Sequence, residues 1–152
     1  MSGVNDARSL VLAYLSRNRV MTLATYGGGQ VWAAALFYVN DGFDLLFLSS
    51  AHTRHGGHLQ TDGKAAATIQ EQYEDWTAIQ GVQVEGEVSK LAGSERDVAI
   101  ALYERKYSFV NSGDPELQRA LAKVNWYRLA AKRFYFIDNS RGFGHRDEID
   151  LG

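Results

Sequence analysis

Residues 20–50 hold three apolar runs separated by two tight turns, and that spacing leaves little choice of fold. VMTLATY (20–26) runs into Gly27-Gly28-Gly29, and QVWAAALFYV (30–39) into Asn40-Asp41-Gly42, after which FDLLFLSS continues. Gly-rich and Asn-Asp-Gly turns join neighbouring antiparallel strands, because a parallel return needs a crossover of a dozen or more residues. The middle run is unusual. Val31, Ala33, Ala35 and Phe37 share one side and Trp32, Ala34, Leu36 and Tyr38 the other, so both sides are apolar. Such a strand is covered twice, by core on one side and by a ligand, a helix or a second chain on the other. Its small residues at 33–35 allow something flat to lie close to the backbone.

Further strands follow the same reading. KAAATIQ is one. WTAIQGVQVEGEVSKL is the longest candidate, with Val82, Val84 and Val88 alternating against Gln83, Glu85 and Glu87, and with bulges or close approaches expected at Gly81 and Gly86. NWYRLAAKRFYFID is the last, leading into a polar tail whose SRGFGH segment is read as flexible chain. Helical spacing appears four times. Ala7, Leu10, Val11, Tyr14 and Leu15 form a stripe, with Asn5 as cap and Asp6 suited to the helix dipole. A short helix ends near Asp62, with Gly63 as a left-handed cap. Ser94 and Asp97 form a capping-box-like start, and Asp114-Pro115 gives an N-cap with proline at the first helical position. Long antiparallel strands remove their edges by closing. The expectation is a mainly β fold, a chiefly antiparallel barrel of about six strands with peripheral helices, in one domain covering 1–152.

Composition bounds the function. A net charge of −2 gives no global attraction to nucleic acid or anionic membrane. Without cysteine there is neither a disulfide nor a thiolate metal site, which fits a reducing cytoplasm. No secretion signal and no apolar run of about 18 residues is present. No Ser–His–Asp or paired-carboxylate spacing can be assigned, so the catalytic residues stay unknown.

The segment SSAHTRHGGHLQTD (49–62) carries the most chemistry, with His52, His55 and His58 among its residues. A metal site requires three imidazoles to converge. His55 and His58 are three apart and can share a helical face, whereas His52 precedes the helix, and the usual i, i+4 zinc pair with an intervening Glu is absent. No metal is expected. An anion is better served. The helix N-terminus offers unpaired N–H groups, Ser49, Ser50 and Thr53 add hydroxyls, and Arg54 can bind two phosphate oxygens at once. A plain helix cap with a solvated arginine is the competing reading.

The order of VMTLATYGGGQVWAAALFYV, DLLFLSSAHTRHGGHLQTDGKAAATI, IQGVQVEGEV and FYFIDNSRGFG resembles the FMN-binding split barrels of the pyridoxamine 5′-phosphate oxidase-like superfamily. The resemblance spans nearly the whole chain. It implies a homodimer with FMN in grooves between subunits. Backbone of Ala33, Ala34, Ala35 and Leu36 would line the flavin ring. Ser49, Ser50, Thr53, Arg54 and His55 would hold the phosphate, and Gln80 and Gly81 would reach across from the partner. Two positions depart from the oxidases: the flavin-lining strand lacks their Arg and Lys, and His55 stands where Lys is common. The implied activity is oxidoreduction of an unidentified small molecule. The alternatives are a non-catalytic cofactor-binding dimer and a haem- or deazaflavin-binding relative.

Overall fold

A computed structural model describes residues 2–152, with side chains from Ala7 onward. Eight strands and four α-helices occur in the order α1 (Ser2–Arg17), β1 (Val20–Gly27), β2 (Gln30–Phe37), β3 (Val39–Asp41), β4 (Asp44–Ser49), α2 (Arg54–Thr61), β5 (Lys64–Gln70), β6 (Gln80–Lys90), α3 (Gly93–Lys106), α4 (Pro115–Leu121), β7 (Asn125–Asp138) and β8 (Arg146–Glu148). Every strand pair is antiparallel. The sheet runs β2-β1-β5-β6-β7-β4-β3, with β8 added to β7.

The two edge strands, β2 and β3, are one stretch of chain. It leaves β1 at Phe37 and joins β4 at Val39, so the barrel is closed by covalent continuity rather than by a hydrogen-bonded seam. This split-barrel arrangement replaces the single strand expected over 30–39. Tyr38 makes the corner. It is fully buried, its N–H donates to the Arg19 carbonyl at 3.0 Å, and its hydroxyl donates to the Leu15 carbonyl at 2.7 Å. Tyr107 donates its hydroxyl to the Tyr38 carbonyl, and the Lys106 ammonium lies 4.3 Å over the Tyr38 ring. Alternation of apolar residues continues through the bend, so periodicity alone cannot show it.

Inside the barrel lie Met21, Leu23, Leu45, Phe47, Ile69, Val82, Val84, Leu129, Phe134 and Phe136, capped by Val11, Tyr14 and Leu15 of α1. A second cluster, with Leu46, Tyr103, Tyr107 and Trp126, lies between α3 and the outer side of β3, β4 and β7. The outer side of β2, β1 and β5 receives less cover, with Tyr107 and Phe109 packed against Phe37 at one end. Val31, Ala33, Ala35 and Phe37 face outward there, register-paired with Tyr26, Ala24, Thr22 and Val20, and Ala66 and Thr68 continue the row. Val31 is 78% exposed and Phe37 47%.

Several local expectations change. Helix α1 begins at Ser2, so the cap assigned to Asn5 and the dipole partner Asp6 concern side chains outside the described residues. Leu10 of its stripe faces solvent. Helix α3 starts at Gly93 with no side-chain cap, so Ser94 and Asp97 form no capping box. Asp114 does cap α4, accepting from the Glu116 N–H at 2.9 Å. Gly63 is not left-handed; a Cβ there would stand 2.8 Å from the Val88 carbonyl, so close approach is what requires glycine. Residues Trp76–Ala78 form a 3-10 turn capped by Asp75 instead of extending β6. The bulge falls between Glu85 and Gly86, while Gly81 keeps regular register. The tail is ordered: β8 pairs with β7 and Ile149 is buried in the barrel core.

Candidate functional site

The turn from β4 into α2 is built by its own hydroxyls. Thr53 caps the helix, its Oγ1 accepting the Gly56 N–H at 3.0 Å while donating to the Ser50 carbonyl at 2.8 Å. The Gly57 N–H donates to the Thr53 carbonyl at 2.9 Å. That leaves the main-chain N–H groups of Arg54 and His55 with no acceptor among the described residues. Gly56 is required by this turn, because a Cβ there would lie 2.6 Å from the Ser50 carbonyl.

The three histidines separate into three roles. His55 is buried, and its Nε2 lies 2.5 Å from Ser49 Oγ, which is itself buried and 3.3 Å from Thr53 Oγ1. Burial, and then the neighbouring His58, hold the His55 imidazole below its ordinary pKa, so its neutral form is favoured. His58 bonds through Nδ1 to Thr25 Oγ1 of β1 at 2.9 Å, and its ring fills the place where a Cβ of Gly27 would stand, 2.7 Å away. His52 is exposed on the turn. Among the described residues no group of three His, Asp or Glu is placed to hold a metal.

Arg54 is the first residue of α2 and lies one turn before His58, on the same helix face. Its guanidinium sits 4.2 Å over the ring of Trp32 on β2. No ion pair among the described residues involves it. Its donors are therefore open, on the residue whose own main-chain N–H is one of the free groups of the helix start. Charge, donors and helix dipole all favour an anion here.

Strand β2 brings Ala33 to Leu36 onto the sheet edge reached by Arg54. Ala33 and Ala35 are exposed on the outer side, while Ala34 and Leu36 are half-buried on the other. Gln80 and Gly81 lie elsewhere. Trp32 pairs with Thr25, Thr25 with Ala65 and Ala65 with Gly86, which puts Gln80 three strands across and six residues along, roughly 20–25 Å away at standard strand spacing. The Gln80 side chain accepts from Arg17 at 3.3 Å, and Gly81 is buried. A single chain thus assembles Ala33–Leu36 with 49–55 but leaves Gln80 and Gly81 outside.

Four residues that sequence reasoning missed complete the site: Thr25, Gly27, Trp32 and His58. Arg54 and His58 four apart give a signal that both face one neighbour, but which strand that is depends on pairing. A second cluster lies at the far end of the sheet. Trp76 and Phe143 pack edge-to-face at 5.6 Å, Asn139 ties their turns by donating to the Trp76 carbonyl at 2.9 Å, and His145 Nε2 lies 3.2 Å from Asp147.

A family model described as pyridoxamine 5′-phosphate oxidase matches residues 9–138. The UPF0306 protein plu4501 of Photorhabdus laumondii is 32% identical over 139 residues, 90% of this chain and 91% of its own. The UPF0306 protein YhbP of Escherichia fergusonii is 30% identical over 143 residues, 93% and 91% respectively. Among solved structures, a heme binding protein from Mycobacterium smegmatis superposes with a TM-score of 0.75 at 22% identity, covering 97% of this chain, which spans 57% of that protein. A FAD-binding protein from Mesorhizobium loti gives 0.63 at 18% identity, with 82% and 89% coverage. The heme storage protein HutZ from Vibrio cholerae gives 0.70 at 15%, also with 82% and 89% coverage. At these identities the three structures show a shared fold.

Proposed function

The chain belongs to the pyridoxamine 5′-phosphate oxidase family, and on that premise we propose that it is a homodimeric flavoprotein that binds FMN and oxidises or reduces a small molecule. One observation carries the reading. An arginine with open donors stands at a helix start whose first N–H groups are free, over Trp32 of the edge strand that continues into the alanines 33–35. A phosphate requires the first feature and a flat ring requires the second. Ser50, Arg54 and the main-chain N–H groups of Arg54 and His55 hold the phosphate. His55 contributes its ring by fixing Ser49 and the turn. Bound flavin would supply the electron-carrying chemistry, and the chain would bind, orient and exclude water.

The homodimer completes what one chain leaves open. Helix α3 covers one apolar outer side of the sheet, and a second copy covers the other, over Val20, Ala24, Tyr26, Val31, Ala33 and Phe37. Gln80 and Gly81 then reach the neighbour's flavin rather than their own.

A second reading is haem. Among the four histidines, His145 is partly exposed and faces a carboxylate, an arrangement that fixes the ring and leaves Nδ1 for a metal. Reconstitution separates the two. Purified protein incubated with FMN or with haem and then desalted should retain a flavin band at about 450 nm, with unfolding temperature rising as FMN is added. A Soret band retained in place of the flavin band supports haem, and retention of neither overturns both readings.

A further inference from the structure

We propose that Trp32 is the positioning residue for Arg54, holding its guanidinium over the indole face so that all of its donors stay free for the cofactor phosphate. The inference rests on the FMN reading and assigns a role to a residue that this reading does not need. Arginines at a surface are commonly held by a carboxylate, which takes up their donors and cancels their charge. Arg54 has no such partner among the described residues, yet it does not extend freely into solvent; its Cζ lies 4.2 Å from the Trp32 ring centroid. Stacking on an aromatic face restrains the guanidinium through its plane and leaves every in-plane N–H open.

The placement is built, not incidental. Trp32 is paired in register with Thr25, and Thr25 is the residue that bonds His58. His58 lies one helical turn from Arg54 on the same face, and Gly27 makes room for its ring. Strand pairing therefore sets where α2 sits, and α2 sets Arg54 above Trp32. Trp32 is 41% exposed even with Arg54 over its ring, so the contact lies at the surface, where a ligand can reach the guanidinium.

The test is a double-mutant cycle read by binding of FMN and of riboflavin, which lacks the phosphate. Trp32→Val should weaken FMN binding about two- to fivefold, the size of an exposed cation–π contact, and leave riboflavin binding unchanged. Trp32→Phe should restore most of the loss. In an Arg54→Ala background Trp32→Val should have no further effect, because its only route to the phosphate has gone. Equal weakening of FMN and riboflavin, or additive losses in the double variant, overturns the inference while leaving the FMN reading intact. Wild-type protein that binds neither compound overturns that reading and the inference with it. Trp32→Val that retains wild-type circular dichroism and unfolding temperature excludes a folding defect as the cause; should it fail to fold, Trp32→Leu takes its place in the cycle.

Discussion

His55 and His58 show how two like residues in one short helix come to do different work. His58 reaches out of α2 to Thr25 and ties the helix to β1, whereas His55 turns inward onto Ser49. Because the folded state disfavours protonated His55, the unfolded chain takes up a proton near the ordinary histidine pKa of about 6.5 before the folded protein does. Stability should be fully present above that pH and should fall as pH drops through the window below it. His55→Asn should lose that part of the acid dependence, measured by urea unfolding between about pH 7.5 and about pH 5.5, roughly one unit above and below that ordinary value. An unchanged acid slope would mean His55 is not held neutral. Gly27→Ala tests the neighbouring contact: a methyl 2.7 Å from the His58 ring should cost about 1–3 kcal/mol of stability and loosen α2.

The elements were legible in the sequence where pattern and structure share a period. Strands β1, β4, β5 and β6 and the Asp114-Pro115 start of α4 follow directly from alternation, turn residues and capping chemistry. What escaped is what pairing decides. The corner at Tyr38 keeps its alternation while changing partner, so β2 and β3 read as one strand. Trp76 belongs to a capped turn because Asp75 accepts the Thr77 N–H at 3.2 Å, a local bond that apolar count does not reveal. The polar tail is ordered because Ile149 reaches the core and its N–H donates to the Phe134 carbonyl at 2.8 Å. Ile149→Ala should therefore cost about 2–4 kcal/mol, as for other buried aliphatic residues, and not the near-zero value of a loose tail. Residues 49–55 were visible as chemistry. Trp32 was visible only as an aromatic, since its contact with Arg54 crosses from helix to strand.

Taken whole, the barrel has two apolar outer flanks and one helix to cover them. Helix α3 seals the flank formed by β3, β4 and β7; the flank formed by β2, β1 and β5 stays largely open in a single chain, with Tyr107 and Phe109 against its Phe37 end. The proposed dimer places that open flank against a second copy. Ala24→Glu, on the open flank and away from the phosphate turn, should shift the protein from dimer to monomer in sedimentation equilibrium. A wild-type protein that sediments as a monomer at micromolar concentration contradicts the dimer. The same flank carries the alanines of β2, so cover and cofactor would share one surface. The helix start with its open arginine is the part of this arrangement on which the proposed function depends. Calorimetric titration of wild-type and Arg54→Ala protein with FMN and with riboflavin tests it directly. Arg54→Ala should weaken FMN binding tenfold or more, about 1.4 kcal/mol or above, and leave riboflavin binding unchanged. Equal affinity of wild-type and variant for FMN, or equal loss for both compounds, would contradict the assignment of this turn as the phosphate site.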